Sequence, residues 1–147
     1  GKIKEFCEIA GYYPKNLLAI VKINPLLHFR KNGFRSDFEL CLFCQKEKGK
    51  DIFNFLSQDE MKSVDYYSIG QKDSDHPTEK PLSVISKYVK ISSNEGAILL
   101  DPFLGSGTTA IACEKLNRRW IGIEISEEYC EMAKKRIEAE HSQLKMF

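Results

Sequence analysis

The 147-residue sequence lacks any apolar run of the ~18 residues or more that a membrane-spanning helix needs. Its first residues, GKIKEF, lack the apolar core and the small-residue cleavage site of a signal peptide. Charge of one sign is not in excess either, because 22 Lys and Arg face 21 Asp and Glu for a net charge of +1. Any nucleic-acid surface must therefore be a local patch. These absences predict a cytoplasmic protein with no membrane partner.

The composition itself is that of an ordinary globular protein. It is 42% hydrophobic, 11% aromatic and 29% charged, which excludes a disordered or fibrous chain. A chain of 147 residues has room for one domain. We therefore predict one domain over 1–147, composed of a first region over 1–50, a connecting region over 51–75 and a last region over 76–147.

Five cysteines, an odd number in a chain without secretory features, predict free thiols in a reducing compartment. Cys41 and Cys44 form a C-x-x-C pattern, but they fall on a predicted strand. Positions three apart on a strand point to opposite faces, so the two sulfurs should diverge. No second C-x-x-C or paired His completes four zinc ligands. Buried thiols are therefore favoured over a metal site.

The first region reads as helix, strand, loop and strand, over 3–10, 17–23, 28–37 and 38–44. Gly11 stops the helix, and the first strand is an apolar, partly β-branched run. Region 51–75 is polar towards its end and is interpreted as a surface connection.

The last region alternates between helix and strand. Thr78 is predicted to cap its first helix and Ser126 its last. The all-apolar run over 97–100 is typical of a strand buried on both faces of a parallel sheet. The predicted elements are a helix from Glu79, a strand over 97–100, a helix over 108–116, a strand over 120–125 and a helix from Glu127. This order predicts a βαβ unit of a doubly wound α/β sheet.

The most informative segment is Asp101–Thr109, DPFLGSGTT, where a predicted parallel strand ends and a helix begins. Ligands of α/β sheets bind at such places. Gly105 and Gly107 allow a tight turn and a close approach of the backbone to a ligand. Glu124 follows Asp101 by 23 residues, at the end of the next strand, where a carboxylate can accept both hydroxyls of a ribose.

Two ligands fit this arrangement. The run Gly105–Ala110 satisfies the dinucleotide pattern G-x-G-x-x-A, and it would suit a nucleotide-dependent oxidoreductase. Asp101, however, would repel a pyrophosphate and would attract an ammonium group. Ribose, adenine and ammonium together describe S-adenosylmethionine, which we favour over a nucleotide. A glycine turn that only packs a helix on a strand is the remaining alternative.

Three segments of the sequence stand out, HPTEKPL at 76–82, DPFLGSGTT at 101–109 and RRWIGIEI at 118–125. In this order they resemble the beta group of amino-methylating DNA methyltransferases. Upstream, IVKINP at 20–25, Arg35 and the pair Phe38 and Glu39 look like the last strand pair and the basic loop of the same family. The resemblance implies a Rossmann-like, S-adenosylmethionine-dependent methyltransferase fold.

The resemblance also implies roles for individual residues. Asp101 and Phe103, with the turn backbone, would hold the amino acid end of the donor, and Glu124 would take the ribose. Trp120 lies on a strand rather than at its tip, so we expect it in the core. Thr78 and Lys80 would lie beside the methionine part. The predicted cofactor-binding set is Thr78, Lys80, Asp101, Phe103, Gly105, Gly107, Thr108 and Glu124.

The sequence departs from the family at the catalytic motif, Asp/Asn/Ser-Pro-Pro-aromatic, because it contains no Pro-Pro. Asn24 and Pro25 lack the second proline and the aromatic residue that would stack on a flipped base. We therefore predict no catalytic residue in this chain and a fold that is incomplete, without its upstream central strands. The predicted partner is the missing upstream segment, in the same chain or as a separate one, and the fragment alone is predicted to be inactive.

The basic loop of the first region predicts a contact with double-stranded DNA. Arg30, Lys31 and Arg35 lie in it, and phosphate contacts by such a patch would be salt-sensitive and independent of sequence. The alternative is a solvated hairpin face. The predicted function is methylation of the exocyclic amine of adenine, with cytosine as the alternative, in an enzyme of restriction-modification or phage type. A non-catalytic fragment that binds the donor or a partner is the rival.

Overall fold

The computed structural model of the protein describes residues 2–25, 33–46, 52–69 and 80–144. The chain divides into two compact units, Gly1–Gln71 and Lys72–Phe147, each described here by itself. In chain order the described elements are α1 (Lys2–Ile9), β1 (Tyr13–Lys22), β2 (Phe38–Gln45), β3 (Val64–Tyr67), α2 (Leu82–Ser92), β4 (Ile98–Asp101), α3 (Thr108–Lys115), β5 (Arg119–Gly122) and α4 (Glu127–Leu144). The predicted α/β class is confirmed.

The first unit contains a three-stranded sheet in the order β2-β1-β3. β1 runs antiparallel to β2 and parallel to β3. The predicted strand pair is therefore confirmed, although β1 starts at Tyr13 and its register shifts between Pro14 and Asn16. A bulge suits this position because proline has no N–H to donate to the ladder.

The third strand, β3, was not predicted. Only Val64–Tyr67 form it, and they pair with Ala19–Lys22. A strand of four residues is too short to produce a recognisable alternation, and its partner lies more than forty residues earlier in the chain. Residues 52–57 have no regular structure.

In the second unit, β4 and β5 are parallel and adjacent, with α3 between them in sequence. Leu99 lies opposite Trp120, and Asp101 lies opposite Gly122. The core of this unit is formed by Ala110, Ile111 and Ile137, with Leu82, Leu104 and Trp120 packed against it. The predicted strand–helix–strand unit is confirmed.

The predicted start of the first helix of this unit was wrong. α2 begins at Leu82, not at Glu79, and Pro81 is its N-cap in an extended conformation with φ −64° and ψ 129°. A residue before proline is disfavoured in the helical region, so Lys80 cannot easily belong to the helix. Thr78, the predicted cap, lies outside the described residues.

The expectation that the strand over 97–100 is buried on both faces was also wrong. Ile98 and Leu100 remain 55% and 62% exposed, and Ile121, opposite Leu100, is exposed as well. The core of this unit packs against the other face of the strand pair, which carries Trp120. An all-apolar strand therefore has one covered and one open face within this unit.

The cysteines of the described residues are free thiols. Cys41 and Cys44 lie on β2, both partly buried, and burial raises the pKa of each thiol. Among the described residues, no three His, Cys, Asp or Glu side chains cluster so that they could hold a metal ion. None of the helices in the described parts of the chain is long and apolar enough to span a membrane.

Candidate functional site

The segment in which the sequence predicts a binding site lies where β4 and β5 end. The Ile123 amide donates to the Asp101 carbonyl at 2.9 Å, and the Leu104 amide donates to the Ile123 carbonyl at 2.9 Å. The chain leaving β4 therefore folds back over the end of β5. A Cβ on Gly122 would lie 2.7 Å from Leu104 Cδ2, so a larger residue there would force the Leu104 side chain to move.

Two glycines shape the turn that follows. Gly105 and Gly107 have φ of 54° and 86°, in the left-handed region that residues with a Cβ seldom adopt. Gly107 is also the N-cap of α3, and a Cβ there would lie 3.0 Å from the Cβ of Ala133 on α4. The glycine at position 107 is thus needed both for backbone conformation and for space.

Glu124 links the end of β5 to this turn. Its Oε2 accepts a hydrogen bond from the Gly105 amide at 2.8 Å, and its Oε1 accepts one from the Ser126 amide at 2.9 Å. Each of the two carboxylate oxygens thus accepts from a backbone amide, which fixes the direction of the side chain. Ser126 also caps α4 as predicted, because its Oγ accepts from the Tyr129 amide at 3.3 Å.

Asp101 lies at the start of the turn. Its Oδ1 accepts a hydrogen bond from the Phe103 amide at 3.0 Å, which fixes the side chain at the strand end. The ring of Phe103 is 87% exposed. Two carboxylates, of Asp101 and Glu124, therefore lie at the ends of adjacent parallel strands. This favours a ligand with a cation and hydroxyls over one with a pyrophosphate.

A contact from α4 to the turn was missed by sequence reasoning. The Nη1 of Arg136 donates to both the carbonyl and the Oγ of Ser106, each at 2.8 Å. Ser106 lies between the two glycines and is 3% exposed. The signal in the sequence is the spacing of α4, because Arg136 is one turn after Ala133 and next to Ile137, on the buried face.

The predicted cofactor-binding residues fall into two groups. At the ends of β4 and β5 the structure brings together Asp101, Phe103, Gly105, Gly107, Thr108 and Glu124. Thr108 is buried at the first position of α3. Lys80 is partly buried just ahead of α2, and Thr78 lies outside the described residues. The cofactor-binding roles of all eight residues stay predictions.

Trp120 belongs to the core, as predicted. It packs against Ala110, Ile111 and Ile137. Its Nε1 donates to Glu114 Oε1 at 2.8 Å, which satisfies the indole N–H without a ligand.

In the first unit, the structure describes the contacts of Asn24 and Arg35, two polar residues that the sequence pointed to. Asn24 Nδ2 donates to the Ile69 carbonyl at 2.8 Å, and Asn24 Oδ1 accepts from the Ile69 amide at 2.5 Å. Both ends of this amide are thus engaged with backbone. Arg35 is exposed, and its Nη2 donates to the Pro25 carbonyl. Arg30 and Lys31, the other residues predicted to bind DNA, lie outside the described residues.

Comparison with known proteins agrees with this geometry. A family model described as DNA methylase matches residues 3–135. Type II methyltransferase M2.DpnII of Streptococcus pneumoniae is 34% identical over 146 aligned residues, covering 91% of this chain and 54% of that protein. Type II methyltransferase M.HpaI of Haemophilus parainfluenzae is 48% identical over 81 residues, covering 55% of this chain and 25% of that protein.

A solved structure is similar over nearly the whole chain. The crystal structure of the M1.HpyAVI–SAM complex has a TM-score of 0.80 and 36% identity, and the match covers 92% of this chain and 67% of that one. The chain thus spans between a quarter and about half of the curated relatives M.HpaI and M2.DpnII. The match to the family model and the identity to M2.DpnII confirm the resemblance noted from the sequence, and the chain belongs to the N6/N4 DNA methylase family.

Proposed function

We propose that this chain is the donor-binding part of an S-adenosylmethionine-dependent DNA methyltransferase. The observation that carries the proposal is the bond between the Glu124 carboxylate and the Gly105 amide, which joins the acidic strand end to the glycine turn. This arrangement presents a carboxylate and a tight, side-chain-free backbone to the same ligand. When bound, the donor supplies an electrophilic methyl group on a sulfonium.

Each residue of the turn binds a different part of the donor. The Glu124 carboxylate takes the ribose hydroxyls, and Asp101 pairs with the ammonium of the methionine part. The exposed ring of Phe103 provides an apolar surface beside them. Gly107 and Thr108 place the start of α3 next to the amino acid end of the donor, with Lys80 nearby. A dinucleotide is disfavoured, since its pyrophosphate would face the Asp101 carboxylate.

The target is the exocyclic amine of adenine, with cytosine as the alternative. The family and the relatives named type II methyltransferases support an amine of a DNA base as the acceptor and a restriction-modification role. Arg30, Lys31 and Arg35 supply phosphate contacts to double-stranded DNA. Such contacts raise affinity without reading sequence, and they weaken as salt rises.

The sequence lacks the motif by which the family would hold the target amine. The sequence has no Pro-Pro, and the side chain of Asn24 is tied to the backbone of Ile69 at both its oxygen and its nitrogen. Transfer requires the amine to be held in line with the methyl group, and such positioning contributes many orders of magnitude in rate. The chain alone therefore does not methylate DNA, and an upstream segment, in cis or in trans, completes the enzyme.

Incorporation of tritiated methyl groups into mixed-sequence DNA tests this proposal. The 147-residue chain is compared with the same chain supplied with the upstream half, joined to it or added as a second polypeptide. Turnover only in the completed form is expected. Robust incorporation by the short chain would show that the catalytic group lies within it.

A second candidate function is a non-catalytic module that binds the donor or a partner chain. The absence of the catalytic motif favours it. If the completed form binds the donor and DNA but transfers no methyl group to either base, this second function replaces the first.

A further inference from the structure

The guanidinium of Arg136, on α4, binds Ser106 in the turn that contains Gly105 and Gly107, here called the glycine turn. It donates to the carbonyl and to the hydroxyl of Ser106, both at 2.8 Å. Hydrogen bonds from a charged donor are stronger than those between neutral groups, and this pair is directed at a buried residue. The contact bridges 30 residues of sequence, so it is a tertiary bond and no part of the turn's own local structure.

The contact fixes one peptide group of the turn from both sides. The Ser106 carbonyl is held by Arg136, and the amide of Gly107, which belongs to the same peptide plane, donates to the Leu104 carbonyl at 3.0 Å. Because the peptide is planar, holding both its oxygen and its nitrogen sets its rotation. One residue before Ser106, the Gly105 amide is held by Glu124. The backbone between β4 and α3 therefore has external anchors on α4 and at the end of β5.

The helix α4 also packs directly against the turn, through Ala133. Ala133, one helical turn before Arg136, faces the Cα of Gly107 so closely that a Cβ there would lie at 3.0 Å. The methyl group of Ala133 packs against Gly107, and the guanidinium of Arg136 binds Ser106. Together these two contacts favour a single conformation of the turn. From these contacts we infer that Arg136 is a positioning residue, which holds the glycine turn in its donor-binding conformation without touching the donor. This inference rests on the proposed function of the turn.

The chain contains a matched contact at the opposite end of the strand pair. Arg118, just before β5, donates through Nη2 to the Ser93 carbonyl at 2.9 Å and through Nε to the Ser93 hydroxyl at 3.4 Å. Ser93 is buried as Ser106 is. Each arginine thus binds the carbonyl and the hydroxyl of one buried serine, but only Arg136 does so at the glycine turn. Loss of either contact should lower stability, whereas only loss of the Arg136 contact should affect the site.

The experiment compares Arg136→Met with Arg118→Met in the 147-residue chain, since methionine keeps an unbranched apolar side chain but donates no hydrogen bond. Amide hydrogen exchange at Gly107 is measured without ligand, and the Kd for S-adenosylmethionine is measured by calorimetry. We expect Arg136→Met to speed exchange at Gly107 and to weaken donor binding by roughly tenfold or more, the effect of losing a charged hydrogen bond. Arg118→Met should change neither quantity, and Arg136→Lys should restore part of both.

Unchanged exchange at Gly107 in Arg136→Met would overturn the inference. Equal weakening of donor binding by Arg118→Met would overturn it as well, because the effect would then follow general stability. If the parent chain binds no donor at all, the proposed function fails. The exchange measurement would still decide whether Arg136 sets the conformation of the turn.

Discussion

The Glu124 carboxylate accepts a hydrogen bond from the Gly105 amide at 2.8 Å, so the acidic residue after β5 is bonded to the turn after β4. The same carboxylate accepts from the Ser126 amide at the start of α4. Glu124 therefore has a structural role before any ligand arrives, and its orientation toward the turn is already set. Preorganisation of this kind lowers the entropy that binding must overcome.

Replacing Glu124 with alanine should weaken binding of S-adenosylmethionine by about 1.5–3 kcal/mol, the range for hydrogen bonds to a charged group. Calorimetry measures the effect, and Glu127→Ala, an exposed carboxylate in the first turn of α4, is the matched control. If Glu124→Ala remains folded and binds the donor as the parent does, the ribose assignment is wrong.

Asp101→Asn separates charge from hydrogen bonding at the strand end. Asparagine keeps an oxygen that can accept from the Phe103 amide, so the local turn should survive while the negative charge is lost. We expect weaker donor binding than in Pro102→Ala, and a smaller difference in affinity between S-adenosylmethionine and its deaminated analogue. An undiminished preference for the natural amino group would exclude Asp101 as the partner of the ammonium.

Gly107→Ala should lower the free energy of unfolding more than Gly96→Ala does. Both glycines have a positive φ, of 86° and 76°, so both substitutions carry similar backbone strain, on the order of 1 kcal/mol. A Cβ at Gly96 meets nothing within 4 Å, whereas at Gly107 it meets Ala133 at 3.0 Å. Denaturant unfolding measures the difference. Equal losses of stability would mean that Ala133 on α4 does not pack closely against Gly107.

The fully buried Cys113 predicts a loss of stability at alkaline pH. Burial, with smaller contributions from the Glu114 and Asp101 carboxylates, raises the pKa of its thiol from 9.0 to about 11. As pH rises between these values, the unfolded chain ionises first, so ionisation favours unfolding and the free energy of unfolding falls. Well below pH 9.0 the thiol is neutral in both states and its contribution is intact.

Cys113→Ala removes this thiol and supplies the comparison. Between about pH 8 and about pH 10.5, the parent chain should lose more stability than the variant, since only the parent carries the buried titrating group. Other groups that ionise in this range are common to both proteins and cancel. Parallel curves for parent and variant would contradict the raised pKa.

The core of the site could be predicted because its determinants are local. The apolar run over 97–100 is followed by Gly105 and Gly107 and then by α3, and short-range sterics favour strand, turn and helix in this order. One local feature was nevertheless predicted wrongly. The start of α2 is set by the restriction that Pro81 places on Lys80, which the apolar spacing of Leu82 and its successors does not reveal.

Long-range partners were the other source of failure. The four residues of β3 acquire their strand conformation by pairing with β1, and Arg136 meets Ser106 across 30 residues of chain. The hydrophobic periodicity of the sequence gives no information about such long-range pairings. The open face of β4 has the same cause, because the exposure of Leu100 depends on what packs against it and not on its own hydrophobicity.

The central claim is that the glycine turn and Glu124 form a site for a methyl donor. Calorimetric titration of the 147-residue chain with S-adenosylmethionine and, separately, with a nicotinamide dinucleotide tests it most directly. The account predicts saturable binding of S-adenosylmethionine that Glu124→Ala weakens, and no binding of the dinucleotide. Binding of the dinucleotide in preference to S-adenosylmethionine, or binding of the donor that is indifferent to Glu124, would contradict it.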